Sequence, residues 1–95
     1  MNWKEPRAVD EFWWLDIETY KGGRLDRVGR VTWLRSGEGL YSPSITVESA
    51  NGLGLYCWPD FRALAEAQEF VEKLMRMPLA ELKAFHGTQW PNVVL

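Results

Sequence analysis

Two dipeptides, Gly22-Gly23 and Asn51-Gly52, constrain this chain more than any other feature. Each interrupts strand-forming residues with the backbone freedom that a tight hairpin requires. The central residues of a two-residue hairpin turn take positive φ, which glycine adopts without steric penalty and asparagine tolerates. The flanking runs agree with that reading. Glu11–Tyr20 is aromatic and β-branched, and a second strand follows at about Arg27–Arg35. Ser36-Gly37-Glu38-Gly39 opens a loop that ends near Pro43. Ile45–Ser49 then alternates Ile45 and Val47 against Thr46 and Glu48, and Leu53–Trp58 returns from Asn51-Gly52. Four short antiparallel strands joined by hairpins make a meander.

Pro59 and Asp60 break the strand pattern. Over Leu64–Met75, Leu64, Ala67, Phe70, Val71 and Leu74 recur at helical spacing, while Glu66, Glu69, Glu72 and Lys73 take the other side. Asp60 is a candidate N-cap, with Phe61 as an alternative anchor that starts the helix later. Pro78 ends this helix, and Leu79–Phe85 forms one or two further turns closed by Gly87. An irregular arm of about residues 1–10, broken by Pro6, precedes the strands. A tail of about residues 88–95, apolar from Trp90 to Leu95, suits an added strand or an arm. The predicted fold class is therefore α+β, with two layers. A four-stranded antiparallel meander (β-β-β-β-α) packs on one main helix, with a short C-terminal helix added. The 95 residues are read as a single domain, 1–95, large enough for a core without disulfides or metal. With 46% apolar and 25% charged residues the composition is globular.

Several function classes lose support at this level. A net charge of −2 is not that of a dedicated nucleic-acid binder. Cys57 is the only cysteine, so no internal disulfide or cysteine-based zinc site is expected. Met1–Pro6 lacks the layout of a secretory signal, and no apolar run reaches the ~20 residues of a membrane span. The expected location is cytoplasmic, without membrane contact. His86 stands just before Gly87, where a cation meets a helix C-terminus favourably. Neither a nucleophile nor an orienting group can be assigned to it, and a pairing with Cys57 would be a spatial accident. Asp16 and Glu18, two apart on a strand, share a face as catalytic carboxylates do, but the basic second strand offers them plain ion-pair partners. Gly37-Glu38-Gly39 and Gly52-Leu53-Gly54 do not join a strand to a helix N-terminus, as a phosphate cradle requires. No cofactor, metal ligand set or catalytic residue is expected.

The first hairpin is where the pattern becomes informative. Counting outward from Gly22-Gly23 sets Lys21 opposite Arg24, Glu18 opposite Arg27 and Phe12 opposite Trp33. One face then carries Phe12, Trp14, Asp16, Glu18 and Tyr20 with Leu25, Arg27, Val31 and Trp33. The other carries Trp13, Leu15 and Ile17 with Val28, Arg30 and Thr32. A single amphipathic helix covers one face, which leaves an aromatic patch on the other. Either the termini (Trp3, and Trp90 with Val93 and Val94) fold over that patch, or a partner does. The expected partner-binding residues are Phe12, Trp14, Tyr20 and Trp33, with Glu18, Lys21, Arg24 and Arg27 around them. The expected function is a small non-catalytic binding protein acting through a protein–protein interface. Inhibitor or immunity-type proteins of bacteria and phages have this format. Two alternatives stand beside it. One is single-stranded nucleic acid held by the basic, aromatic first hairpin. The other is a homodimer or larger homo-oligomer that buries the aromatic face between copies.

Overall fold

The computed structural model describes residues 2–36, 39–49 and 52–88, with residues 48, 49, 52, 53, 83 and 86–88 by backbone alone. Five strands are followed by two helices: β1 (Arg7–Val9), β2 (Phe12–Lys21), β3 (Arg24–Leu34), β4 (Ser42–Ser49), β5 (Gly52–Cys57), α1 (Leu64–Met75) and α2 (Leu79–Thr88). All neighbours are antiparallel, and the sheet order is β1-β2-β3-β4-β5. The two-layer α+β meander stands, with five strands instead of four. The additional strand, β1, comes from the arm expected to be irregular. It pairs with β2 across Asp10-Glu11, with Val9 opposite Phe12 and Asp10 at φ 55°. Aspartate is among the few side chains that tolerate this left-handed conformation.

Gly22 and Gly23 turn the β2–β3 hairpin at φ 61° and 79°, with Lys21 opposite Arg24 as expected. Beyond that pair the register departs from one-to-one counting. Tyr20 faces Leu25, but Thr19 faces Arg27, so Asp26 is an extra residue on β3. Every later partner moves by one: Glu18 faces Val28 rather than Arg27, and Phe12 faces Leu34 rather than Trp33. Because side chains alternate along a strand, the shift turns Arg27, Val31 and Trp33 to the face of Leu15 and Ile17, and sends Val28, Arg30 and Thr32 to the face of Trp14 and Asp16. Of the second dipeptide turn, Asn51 lies outside the described residues. Gly52 begins β5, opposite Ser49.

The helices cover the Leu15–Ile17 face. Ile17, Val31, Ile45 and Val47 from the sheet meet Val71 and Leu74 of α1 and Leu82 of α2, each at most 2% exposed. Gly29 lets α1 lie directly on the strand backbone. A Cβ there would stand 2.4 Å from Val71 Cγ1 and 3.0 Å from both Ile17 Cγ2 and Met75 Sδ. The start of α1 matches its periodicity, but Asp60 does not cap it; Ala63 is the N-cap, with no side-chain bond. Phe61 anchors the entry instead, exchanging two 2.8 Å backbone hydrogen bonds with Tyr41 while its ring lies 5.1 Å from Phe70. At the other end Arg27, only 5% exposed, donates from Nη1 to the carbonyls of Leu74 (2.9 Å) and Met77 (2.7 Å). The Leu74 carbonyl belongs to the last turn of α1, where it also accepts the Met77 N–H at 3.3 Å, and the Met77 carbonyl lies just past the helix end. Helix α2 runs through Gly87 to Thr88 rather than closing near Phe85. The apolar tail, 89–95, lies outside the described residues.

Candidate functional site: the open face of the sheet

The register fixes what projects from the face away from the helices. Rows run across the strands: Val9–Phe12–Leu34, then Arg7–Trp14–Thr32–Ser42, then Asp16–Arg30–Ser44–Cys57, then Glu18–Val28–Thr46–Leu55, and Tyr20–Leu25 near the hairpin tip. Val9, Phe12, Tyr20, Leu25, Leu34 and Leu55 are 36–65% exposed. Among the described residues, the one other bulky apolar side chain this exposed is Leu40, in the loop beside Leu34.

Of the four charged groups in these rows, Asp16, Arg30 and Glu18 are paired, while Arg7 is exposed and has no ion pair among the described residues. Arg30 donates to both oxygens of Asp16, from Nε at 2.7 Å and Nη2 at 3.0 Å, and its Cζ lies 5.4 Å from the Trp14 ring centroid. This fork-on-carboxylate geometry adds direction to the Coulomb attraction, and the ring face adds a further favourable contact for the cation. The hydrogen bonds to Asp16 raise the Arg30 guanidinium further above its ordinary pKa, against a smaller opposing effect of burial. Glu18 is ion-paired with Lys4 and accepts the Tyr20 hydroxyl at 3.1 Å. Hydrogen bonding by Lys4 and then Tyr20 holds the Glu18 carboxyl below its usual range, while the bond to Glu18 holds the Tyr20 phenol above its own. A carboxyl shifted that way is a poor general acid near neutral pH. Cys57 is exposed, and desolvation pushes its thiol pKa up, away from a reactive thiolate. The side chain of His86 is not among those described, so its pairing with Cys57 falls outside the structure.

The expected site residues divide into three groups. Phe12, Trp14, Glu18 and Tyr20 share the open face, and Lys21 and Arg24 are exposed at the hairpin tip. Arg27 and Trp33 do not belong to it. Arg27 is the buried strut beneath α1, and Trp33 packs on the core side, its ring 5.6 Å from Tyr41. The bulge at Asp26 is the physical reason for both corrections. The nucleic-acid alternative thereby loses two contributors, and Asp16 and Glu18 remain inside the same hairpin. Trp3 does not fold over the open face either: its indole N–H donates to Glu72 of α1 at 3.0 Å. Covering by Trp90, Val93 and Val94 concerns residues outside those described. Sequence reasoning missed Val9, Leu34 and Leu55 as members of this face, and placed Arg30 on the wrong one. The Leu53-x-Leu55-x-Cys57 alternation was the available signal for Leu55, whereas β1 is too short to show any alternation.

Compared with protein-family models, curated proteins and solved structures, the chain matches none of them. No helix among the described residues is long and apolar enough to cross a membrane.

Proposed function

We propose that this chain is a non-catalytic binding protein that recognises another protein through the open face of its sheet. One observation carries the reading. The exposed bulky apolar residues gather on the face that no described helix covers, while the charges of its central rows are neutralised in the pairs Asp16–Arg30 and Glu18–Lys4. Pairing of that kind weakens the field that would attract a polyanion and leaves apolar area as the larger part of what the face offers a partner. Aromatic and arginine side chains are the usual anchors of such surfaces, and Phe12, Trp14, Tyr20 and Arg30 supply them. An inhibitor or immunity-type role is one form this recognition takes.

The test is capture from a lysate of the source organism by tagged wild-type chain, compared with a Phe12→Ala/Tyr20→Ala/Leu55→Ala variant. Each sample is split into an untreated half and a half treated with nuclease and high salt. A stoichiometric protein retained by the wild type and lost by the folded variant is the expected result. Nucleic acid that is recovered and then disappears with salt, or a protein held equally by both chains, would remove the reading.

A further inference from the structure

One end of the open face has a different chemistry from the rest. Leu34 separates two adjoining shallow depressions of about 330 and 280 Å³. Asp10 and Glu11 of the β1–β2 turn line the first, and Phe12, Leu40 and Asp60 help to line the second. Phe12, Leu40 and Leu34 are 48%, 45% and 36% exposed, so three bulky apolar side chains are accessible at one place. The carboxylates of Asp10, Glu11 and Asp60 have no ion-pair partner among the described residues, unlike Asp16 and Glu18 further along the face. Arg35 lines the first depression as well, but it pairs with none of these carboxylates. It donates to the Asp10 carbonyl at 3.1 Å, and its Cζ lies 5.5 Å from the Trp13 ring centroid.

We propose that this end of the sheet docks a segment of the partner protein in which bulky apolar side chains are flanked by lysine or arginine. The inference rests on the reading that the open face binds protein, and it names the chemistry of what is bound. Depressions this open do not enclose a small molecule as a ligand pocket does, but they accept side chains presented by another surface. Carboxylates at their rim favour encounter with a basic segment. Once docking excludes water, they require a counter-charge, because an unpaired buried carboxylate is costly. Apolar anchors with basic flanks answer both demands. The chain's own hairpin tip, with Tyr20 and Leu25 beside Lys21 and Arg24, has that same chemistry, so a second copy is the competing occupant.

A random peptide-display library selected against the full folded chain tests the assignment. Binding of the enriched peptides is compared with a variant carrying Asp10→Asn, Glu11→Lys and Asp60→Lys. The expected consensus is a bulky apolar residue flanked by Lys or Arg, with affinity falling on the order of tenfold in the variant and falling further as salt is raised. If the variant does not fold, Asp60→Asn alone carries the same test at smaller amplitude. Enrichment without basic residues, binding indifferent to both variants, or no enrichment overturns the proposal. Peptides that are lost instead with Tyr20→Ala or Leu55→Ala overturn it while leaving the wider open-face reading intact. Salt-sensitive self-association of the purified chain, abolished by Lys21→Glu, would put a second copy in the site and overturn a foreign segment.

Discussion

Arg27 and Gly29, two residues apart on β3, hold α1 to the sheet in opposite ways. The Arg27 guanidinium serves the carbonyls of Leu74 and Met77 and, through Nε, the carboxylate of Asp26 at 2.7 Å. Hydrogen bonds to a charged group contribute about 1.5–3 kcal/mol, and truncation here also takes the side-chain donor from the Met77 carbonyl and leaves the Leu74 carbonyl with the Met77 N–H alone. We expect Arg27→Ala to lose about 3 kcal/mol in urea unfolding. Arg27→Lys should recover only part of that, since an ammonium lacks the planar fork of donors. Gly29 works by absence. Its φ is not in the left-handed region, so the constraint is the approach of Val71 and Met75 rather than backbone conformation. Gly29→Ala should cost about 1–3 kcal/mol by overpacking. Adding Val71→Ala opens the contacted space, so the double variant should be more stable than the two single losses predict when summed. Strict additivity would mean that α1 does not rest on β3 at this point.

Elements were legible where their period is long enough to count, and register was not. Helix α1 shows several turns of 3.6-residue spacing, and its bounds follow from that. The bulge at Asp26 has no such signature. Charge could not arbitrate, because one-to-one counting offers Glu18–Arg27 and the shifted register offers Asp16–Arg30, each a sound ion pair. The apolar pattern could have done so. Only the shifted register sets Val31 and Gly29 beside Leu15 and Ile17, giving α1 a face without Arg30 and Thr32. The candidate site followed the same division, legible on β2 and at the hairpin tip and misplaced on β3 beyond the bulge. The short β1 was hidden for a different reason, since it is held by pairing and by the arm ahead of it. That arm is tied down by the Lys4 N–H on the Asp16 carbonyl at 2.8 Å and by the Lys4–Glu18 ion pair. Lys4→Ala should raise the Glu18 pKa towards its usual 4.5, as followed by carboxyl chemical shifts. A depressed folded pKa stabilises the protein above the ordinary carboxylate value, and that contribution is lost as pH falls through the folded value. The stability difference between wild type and Lys4→Ala should therefore be present at neutral pH and close in acid below about 4.5. No difference at neutral pH would mean that the arm is held by the Lys4 backbone N–H, which alanine keeps, and not by the ion pair.

On the scale of the whole molecule, one sheet is built to two standards. Its inner face is sealed, with Ile17, Val31 and Ile45 at 0% exposure, whereas the other keeps Phe12, Tyr20 and Leu55 at 48%, 63% and 65%. Stability comes from the first. Ile45→Ala should cost about 2–5 kcal/mol, a large part of the roughly 5–15 kcal/mol that holds a domain folded. The open face makes no comparable contribution. Replacing Phe12, Tyr20 and Leu55 together by serine should cost at most about 1 kcal/mol each, the span of strand propensity at exposed positions. The triple variant should keep a single cooperative thermal transition, bind less of an apolar fluorescent dye and remain soluble at higher concentration. Three bulky apolar residues stand exposed where serine would serve the fold, at the cost of an aggregation hazard, and this is the ground on which the face is proposed as a surface for recognition. Collapse of the triple variant into a state without cooperative unfolding would show that these residues belong to the core, and the face would then be structural rather than a surface for recognition.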